Sequence, residues 1–124
     1  MDKEKDVSVL IGKTIVSIKN NDDIELIFEC SDGIKYRMYH EQDCCENVYL
    51  IDTINSFDDI LNTPILKASK DVTILDSEGN NDDDYSEDKE YTFYNIATIN
   101  GYVGLRWYGE SDYYSTSVSF EEVK

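Results

Sequence analysis

Five side chains between Tyr91 and Glu110 (YTFYNIATINGYVGLRWYGE) could together form a recognition surface: Phe93, Asn95, Tyr102, Arg106 and Tyr108. Arginine presents a planar, permanently charged fork that grips phosphate or stacks on a ring. Rings beside it offer faces to a nucleobase, and an asparagine can read a base edge or a ribose hydroxyl. The chain has only two arginines, Arg37 and Arg106, and both fall on the outward side of an expected strand. Arg37 therefore joins the candidate set. The same residue types also suit an arginine stem lying over aromatic surface, or an interface between subunits. Residue types alone leave binding face and interface open, and one surface can serve as both.

A second cluster is His40-Glu41-Gln42-Asp43-Cys44-Cys45-Glu46. Adjacent cysteines rarely share one tetrahedral ion, because zinc pairs usually sit two to four residues apart. A Cys–His nucleophile needs positive surroundings to stabilise its thiolate, which an acidic chain disfavours. The reading is a structural loop holding a small buried thiol, with no metal. No familiar nucleophile-elbow, zinc-protease or phosphate-loop pattern occurs, so no catalytic residue and no cofactor are assigned.

What must position the first cluster is a hairpin. Two apolar runs flank Asn100-Gly101, the pair that favours a two-residue type I′ turn. Counting outward pairs Ile99 with Tyr102, Ala97 with Gly104, Asn95 with Arg106 and Phe93 with Tyr108. Side chains alternate along a strand, so these share one face. Thr98, Ile96 and Tyr94 with Val103, Leu105 and Trp107 make the other, heavier face, which is assigned to the core.

The rest of the chain supplies the scaffold. Val7 to Ile11, ending at Gly12, reads as a turn or half a helix. Thr14 to Lys19, Ile24 to Cys30 and Ile34 to His40 read as three antiparallel strands, joined at Asn20–Asp23 and Ser31-Asp32-Gly33. Ile34, Tyr36 and Met38 point inward; Lys35, Arg37 and Tyr39 point outward. Val48 to Ile54 fits strand or helix. Ser56 is a suitable N-cap for a short helix over Phe57 to Leu61, with Asp58 and Asp59 in its first turn. Ile65 to Leu66 and Val72 to Leu75 read as extended. A last strand runs from Tyr113 to Val123, with Tyr114, Thr116, Val118 and Phe120 inward and its serines beside Arg106. The fold class is α+β, mainly antiparallel sheet in a meander and hairpins, with one or two short helices.

A chain of 124 residues suits a single domain over residues 1–124. Residues 77–90 (SEGNNDDDYSEDKE) cannot bury enough apolar area to fix a conformation and read as an exposed acidic loop. No apolar run is long enough to span a bilayer and no signal-peptide layout opens the chain, so the expected location is cytoplasmic, with no membrane partner. Three cysteines, an odd number, fit free thiols better than a disulfide framework. The net charge of −16 repels nucleic-acid backbones, so direct DNA or RNA binding is not expected. The acid could instead imitate a phosphate backbone for a nuclease, with Asp58-Asp59 and Asp82–Asp84 as its densest runs. Ten tyrosines supply flat contact area at low entropic cost.

Two stretches carry a resemblance: MYHEQDCCENVYLID at Met38–Asp52, and YTFYNIATINGYVGLRWYGES with its trailing YYSTSVSFEE. Over roughly half the chain these resemble a family of small bacteriophage and prophage proteins. Within that neighbourhood the chain is similar to the Thoeris anti-defence sponges. Those proteins bind glycocyclic ADP-ribose made by a host TIR-domain enzyme and withhold it from its effector without cleaving it. The resemblance implies a non-enzymatic protein of the infected bacterial cytoplasm, with a small nucleotide signal as its partner. It also implies a homo-oligomer, a dimer or up to a hexamer, with ligand at the subunit edge. Some members take cyclic di- or trinucleotides at separate sites. One departure is plain: beyond Arg37, Arg106 and scattered lysines the chain shows no basic patch, so a subunit interface would have to gather positive charge from two chains.

Overall fold

Alternating apolar residues build two antiparallel sheets whose greasy faces meet in one core. The computed structural model describes residues 5–42, 45–75, 88–111 and 116–123. The strands are β1 (Ile15–Asn21), β2 (Glu25–Cys30), β3 (Lys35–Tyr39), β4 (Asn47–Ile54), β5 (Lys67–Leu75), β6 (Asp88–Thr98), β7 (Gly101–Ser111) and β8 (Ser119–Val123). One sheet has the order β1-β2-β3-β8 and the other β4-β7-β6-β5. Every neighbouring pair is antiparallel. The expected meander is therefore the first three strands of one sheet, and the ambiguous Val48–Ile54 segment is a strand.

Two 3₁₀ turns, η1 (Val7–Leu10) and η2 (Phe57–Ile60), replace the short helices expected from the sequence. Among the described residues there is no α-helix, so the α+β class narrows to a two-sheet β fold. Ser56 does cap η2, its hydroxyl accepting from the Asp58 amide at 3.1 Å. Growth into an α-helix is blocked from both sides. Asn55 and Asn62 take left-handed φ values of 72° and 63°. Beyond the turn, bridges from Thr14 to Pro64 and from Ile15 to Leu61 tie the segment to β1.

The core draws on both sheets. Leu26, Phe28, Tyr36, Met38 and Phe120 come from the first; Leu50, Tyr94, Ile96, Leu105 and Trp107 come from the second. Each such side chain contributes about 1.5–3 kcal/mol on burial, against at most about 1 kcal/mol for an exposed ion pair. Packing therefore holds the sandwich, and surface charge trims it. Across the sheets, the Trp107 indole Nε1 donates to Met38 Sδ at 3.2 Å. The hairpin face assigned to the core from sequence is buried from Tyr94 to Thr98 and at Val103, Leu105 and Trp107.

The last strand differs from its expected place. Thr116, Val118 and Phe120 are buried as read, but β8 is shorter and pairs with β3 in the other sheet. Ser119 pairs with Tyr39 in that sheet and is not beside Arg106, while Tyr114 and Ser115 lie outside the described residues. Local alternation fixes which side chains turn inward, whereas the partner strand is set by long-range packing. Of the acidic segment 77–90, Asp88 to Glu90 open β6 and the remainder lies outside the described residues, as does Asp82–Asp84. No helix among the described residues is long and apolar enough to cross a membrane.

Candidate functional site

The β6–β7 hairpin sits in a register different from the one the sequence suggested. Thr98 pairs with Gly101, Ala97 with Tyr102, Asn95 with Gly104, Phe93 with Arg106 and Tyr91 with Tyr108. The turn thus falls on Ile99-Asn100, and no type I′ turn forms at Asn100-Gly101. Side-chain bonds select this turn. The Thr98 hydroxyl donates to the Asp59 carbonyl at 2.8 Å and accepts from the Asn100 amide at 3.1 Å. Asn100 Nδ2 donates to Thr63 Oγ1 at 3.0 Å. Gly101, at φ 150°, begins β7 in a conformation that other residues rarely adopt.

Because the slip is two residues and the strand period is two, no side chain changes face. Phe93, Asn95, Tyr102, Arg106 and Tyr108 do share the outer face of the β4-β7-β6-β5 sheet. Arg37 does not join them. It lies on β3, in the opposite sheet, stacked 3.7 Å from the Tyr39 ring centre and ion-paired to Glu25 at 3.1 Å and Glu121 at 3.5 Å. Tyr39 donates to the same Glu121 carboxylate at 3.2 Å, and burial together with that carboxylate pushes its phenol pKa up. Arg37 is a clamp on the outside of β2-β3-β8, in the opposite sheet from Arg106.

The outer face is aromatic with a neutralised ion pair in its middle. The Tyr108 ring lies 5.2 Å from Tyr91 and 5.7 Å from Tyr49, centre to centre. Phe93 lies over Gly104, where an added Cβ would come within 3.0 Å of two ring carbons. Tyr102 is 45% exposed and Ile54 39%. Arg106 is gripped by Asp52 through two bonds, Nε to Oδ1 at 3.0 Å and Nη2 to Oδ2 at 2.7 Å. The pair holds the Asp52 carboxyl below, and the Arg106 guanidinium above, their ordinary pKa ranges. Tyr108 donates to Glu110 at 2.7 Å, and burial plus that carboxylate hold its phenol protonated well into alkaline pH.

One atom on this face lacks a partner: Asn95 Oδ1 is buried and accepts no hydrogen bond. Leaving such an acceptor unpaired costs about 1–3 kcal/mol. The arrangement offers ring faces, one oriented amide and a guanidinium whose Nη1 stays outside the carboxylate fork. Those are groups for holding a flat polar ligand.

Tyr49, Tyr91 and Asp52 were not in the sequence-derived set. Tyr91 was within reach, since it continues the Phe93–Asn95 alternation. Tyr49 and Asp52 were not, because β4 was ambiguous and carries a bulge between Leu50 and Asp52. Without that extra residue Asp52 would share the inward face of Val48 and Leu50.

The His40 cluster is a structural tie. Its Nδ1 donates to the Ser117 carbonyl and its Nε2 meets Glu46 Oε2, each at 2.7 Å, with both side chains almost fully buried. This joins the β3–β4 crossover to the segment before β8. The thiol expectation holds only for Cys30, which is buried and free; Cys45 is exposed and disulfide-bonded. Asp43 and Cys44 lie outside the described residues. Among those described, no three His, Cys, Asp or Glu side chains converge as a metal site would.

The chain belongs to the family of DUF7448, a domain of unknown function, whose model matches residues 8–120, from η1 into β8. No curated protein and no solved structure matches the chain.

Proposed function

We propose that this protein is a non-enzymatic binder that captures a small nucleotide signal of the cyclic ADP-ribose class on the outer face of the β4-β7-β6-β5 sheet. The observation that carries the reading is the unpartnered Asn95 Oδ1 set among rings beside the Arg106 fork. Once the rings that cover it shift, a base amino group would satisfy that oxygen, a ring would stack on Tyr102, and Arg106 Nη1 would meet a phosphate. The role that follows is that of a phage or prophage anti-defence sponge in the bacterial cytoplasm.

Magnitudes require a second subunit. Stacking supplies about 1–3 kcal/mol per base and a charged hydrogen bond about 1.5–3 kcal/mol. Their sum falls well short of the roughly 12 kcal/mol of nanomolar binding. A second copy closing over Tyr102, Ile51 and Ile54, which are at least one-third exposed, would exclude water and supply the remainder. The expected state is a dimer or a higher homo-oligomer.

The test is native mass spectrometry after incubation with an extract containing the TIR-enzyme signal, followed by heat release. The reading expects an oligomer carrying nucleotide that is recovered at unchanged mass. A cleaved product would make the protein an enzyme. No nucleotide, with salt-sensitive co-elution of a nuclease, would favour the acidic DNA-mimic alternative.

A further inference from the structure

Gly104 leaves a notch in the outer face of the β4-β7-β6-β5 sheet, and a ring already fills it. A Cβ at this position would come within 3.0 Å of two carbons of the Phe93 ring and 3.3 Å of Ile54 Cδ1. Register supplies the walls. Gly104 stands opposite Asn95 on β6 and Ile54 on β4, whereas Phe93 stands opposite Arg106, one row along. The Phe93 side chain therefore leans across a row, over the glycine backbone and beside the Asn95 amide.

That amide carries the buried Oδ1 that accepts no hydrogen bond; Ser69, its partner across β5, leaves it unpaired. An amide oxygen only accepts, so whatever satisfies it must bring an N–H or O–H. The seat beside it is defined by its present occupant, a flat six-membered ring. Phenyl fills the seat and leaves the oxygen bare. A planar ring with a donor on its edge would do both tasks. Phe93 has room to give way, because it is half-buried on the outer face and turns out toward solvent. Strand residues adopt χ1 of 180° and −60° alike, which gives the ring a second staggered well. Closing covers apolar ring surface and opening frees an acceptor for pairing, so each state offsets the cost of the other.

We propose that the Phe93 ring is a gate occupying the seat of a planar heterocycle that carries an exocyclic amino group. When the ring swings out, the heterocycle lies over Gly104 and its amino group donates to Asn95 Oδ1. This base subsite rests on the reading of the outer face as a nucleotide site.

The experiment is NMR of the full chain titrated with adenosine and with purine riboside, which lacks only the amino group. In the unaltered protein, nuclear Overhauser contacts to the Gly104 α protons should pass from the Phe93 ring to the base as adenosine saturates. Adenosine should bind about tenfold more tightly than purine riboside, and Asn95→Leu should erase that difference. Phe93→Ala, with the gate removed, should bind adenosine at least about threefold more tightly than the unaltered protein. Persistence of the Phe93–Gly104 contacts at saturation, equal affinity for the two nucleosides, weaker adenosine binding in Phe93→Ala, or no binding of either nucleoside overturns the gate. Adenosine seated in this way without binding of a cyclic ADP-ribose isomer would instead sink the signal-capture reading and leave the subsite standing.

Discussion

Asp52 holds Arg106 in a two-bond fork only because β4 bulges between Leu50 and Asp52 and so turns this carboxylate onto the outer face of the sheet. The one arginine of that face is thus oriented in advance and largely neutralised. A sheet rich in rings and nearly uncharged at its centre is what an otherwise repulsive acidic protein can offer an anionic nucleotide.

Acid should weaken the fold through two such carboxylates. Arg106 lowers the Asp52 pKa, and Lys13 together with the Ile34 amide lowers that of Asp32, both from an ordinary 3.8. As pH falls the unfolded chain takes up these protons first. The stabilisation is therefore present above 3.8 and is lost as pH drops through the lower folded values. Thermal melts between neutral pH and pH 3 should show a smaller acid loss in Asp52→Asn plus Asp32→Asn than in the unaltered protein.

The alkaline limb belongs to tyrosine. Burial and Glu110 raise the Tyr108 pKa above its ordinary 10.0, so the folded state keeps a proton that the unfolded chain gives up. Its contribution is complete below pH 10.0 and is lost as pH rises toward the folded value. Tyr108→Phe should flatten the fall in stability above that pH, and tyrosinate absorbance should show one fewer late-ionising phenol.

Gly109 faces the chain that leads into β8. A Cβ there would come within 2.6 Å of Thr116 Cβ, whose hydroxyl donates to Glu90 at 2.6 Å. Gly109→Ala should cost about 1–3 kcal/mol, as overpacking does. Urea unfolding measures it; an unchanged midpoint would mean that the two segments do not pack as described.

Asn95 separates stability from binding. Asn95→Leu removes the unpartnered Oδ1 and should leave the fold unchanged or more stable by about 1 kcal/mol. The same change should weaken capture of the nucleotide about tenfold. Melting temperature and calorimetric affinity read the two effects on one sample.

Much of the scaffold was legible in the alternation of Leu26, Phe28 and Cys30 and of Tyr36 and Met38, because a period of two dictates which side is buried. The shared face of Phe93, Asn95, Tyr102, Arg106 and Tyr108 was legible for the same reason, even with the turn misplaced by one residue and the pairing therefore slipped by two. The turn itself was not, since Thr98, Asp59 and Thr63 choose it from distant parts of the chain. Nor was the separation of Arg37 from Arg106, which depends on which strands share a sheet.

Calorimetric titration of a cyclic ADP-ribose isomer into Arg106→Ala tests the outer-face account most directly. The account predicts affinity at least about tenfold weaker than in the unaltered protein, with an unchanged melting temperature. Equal affinity in the two proteins would contradict it.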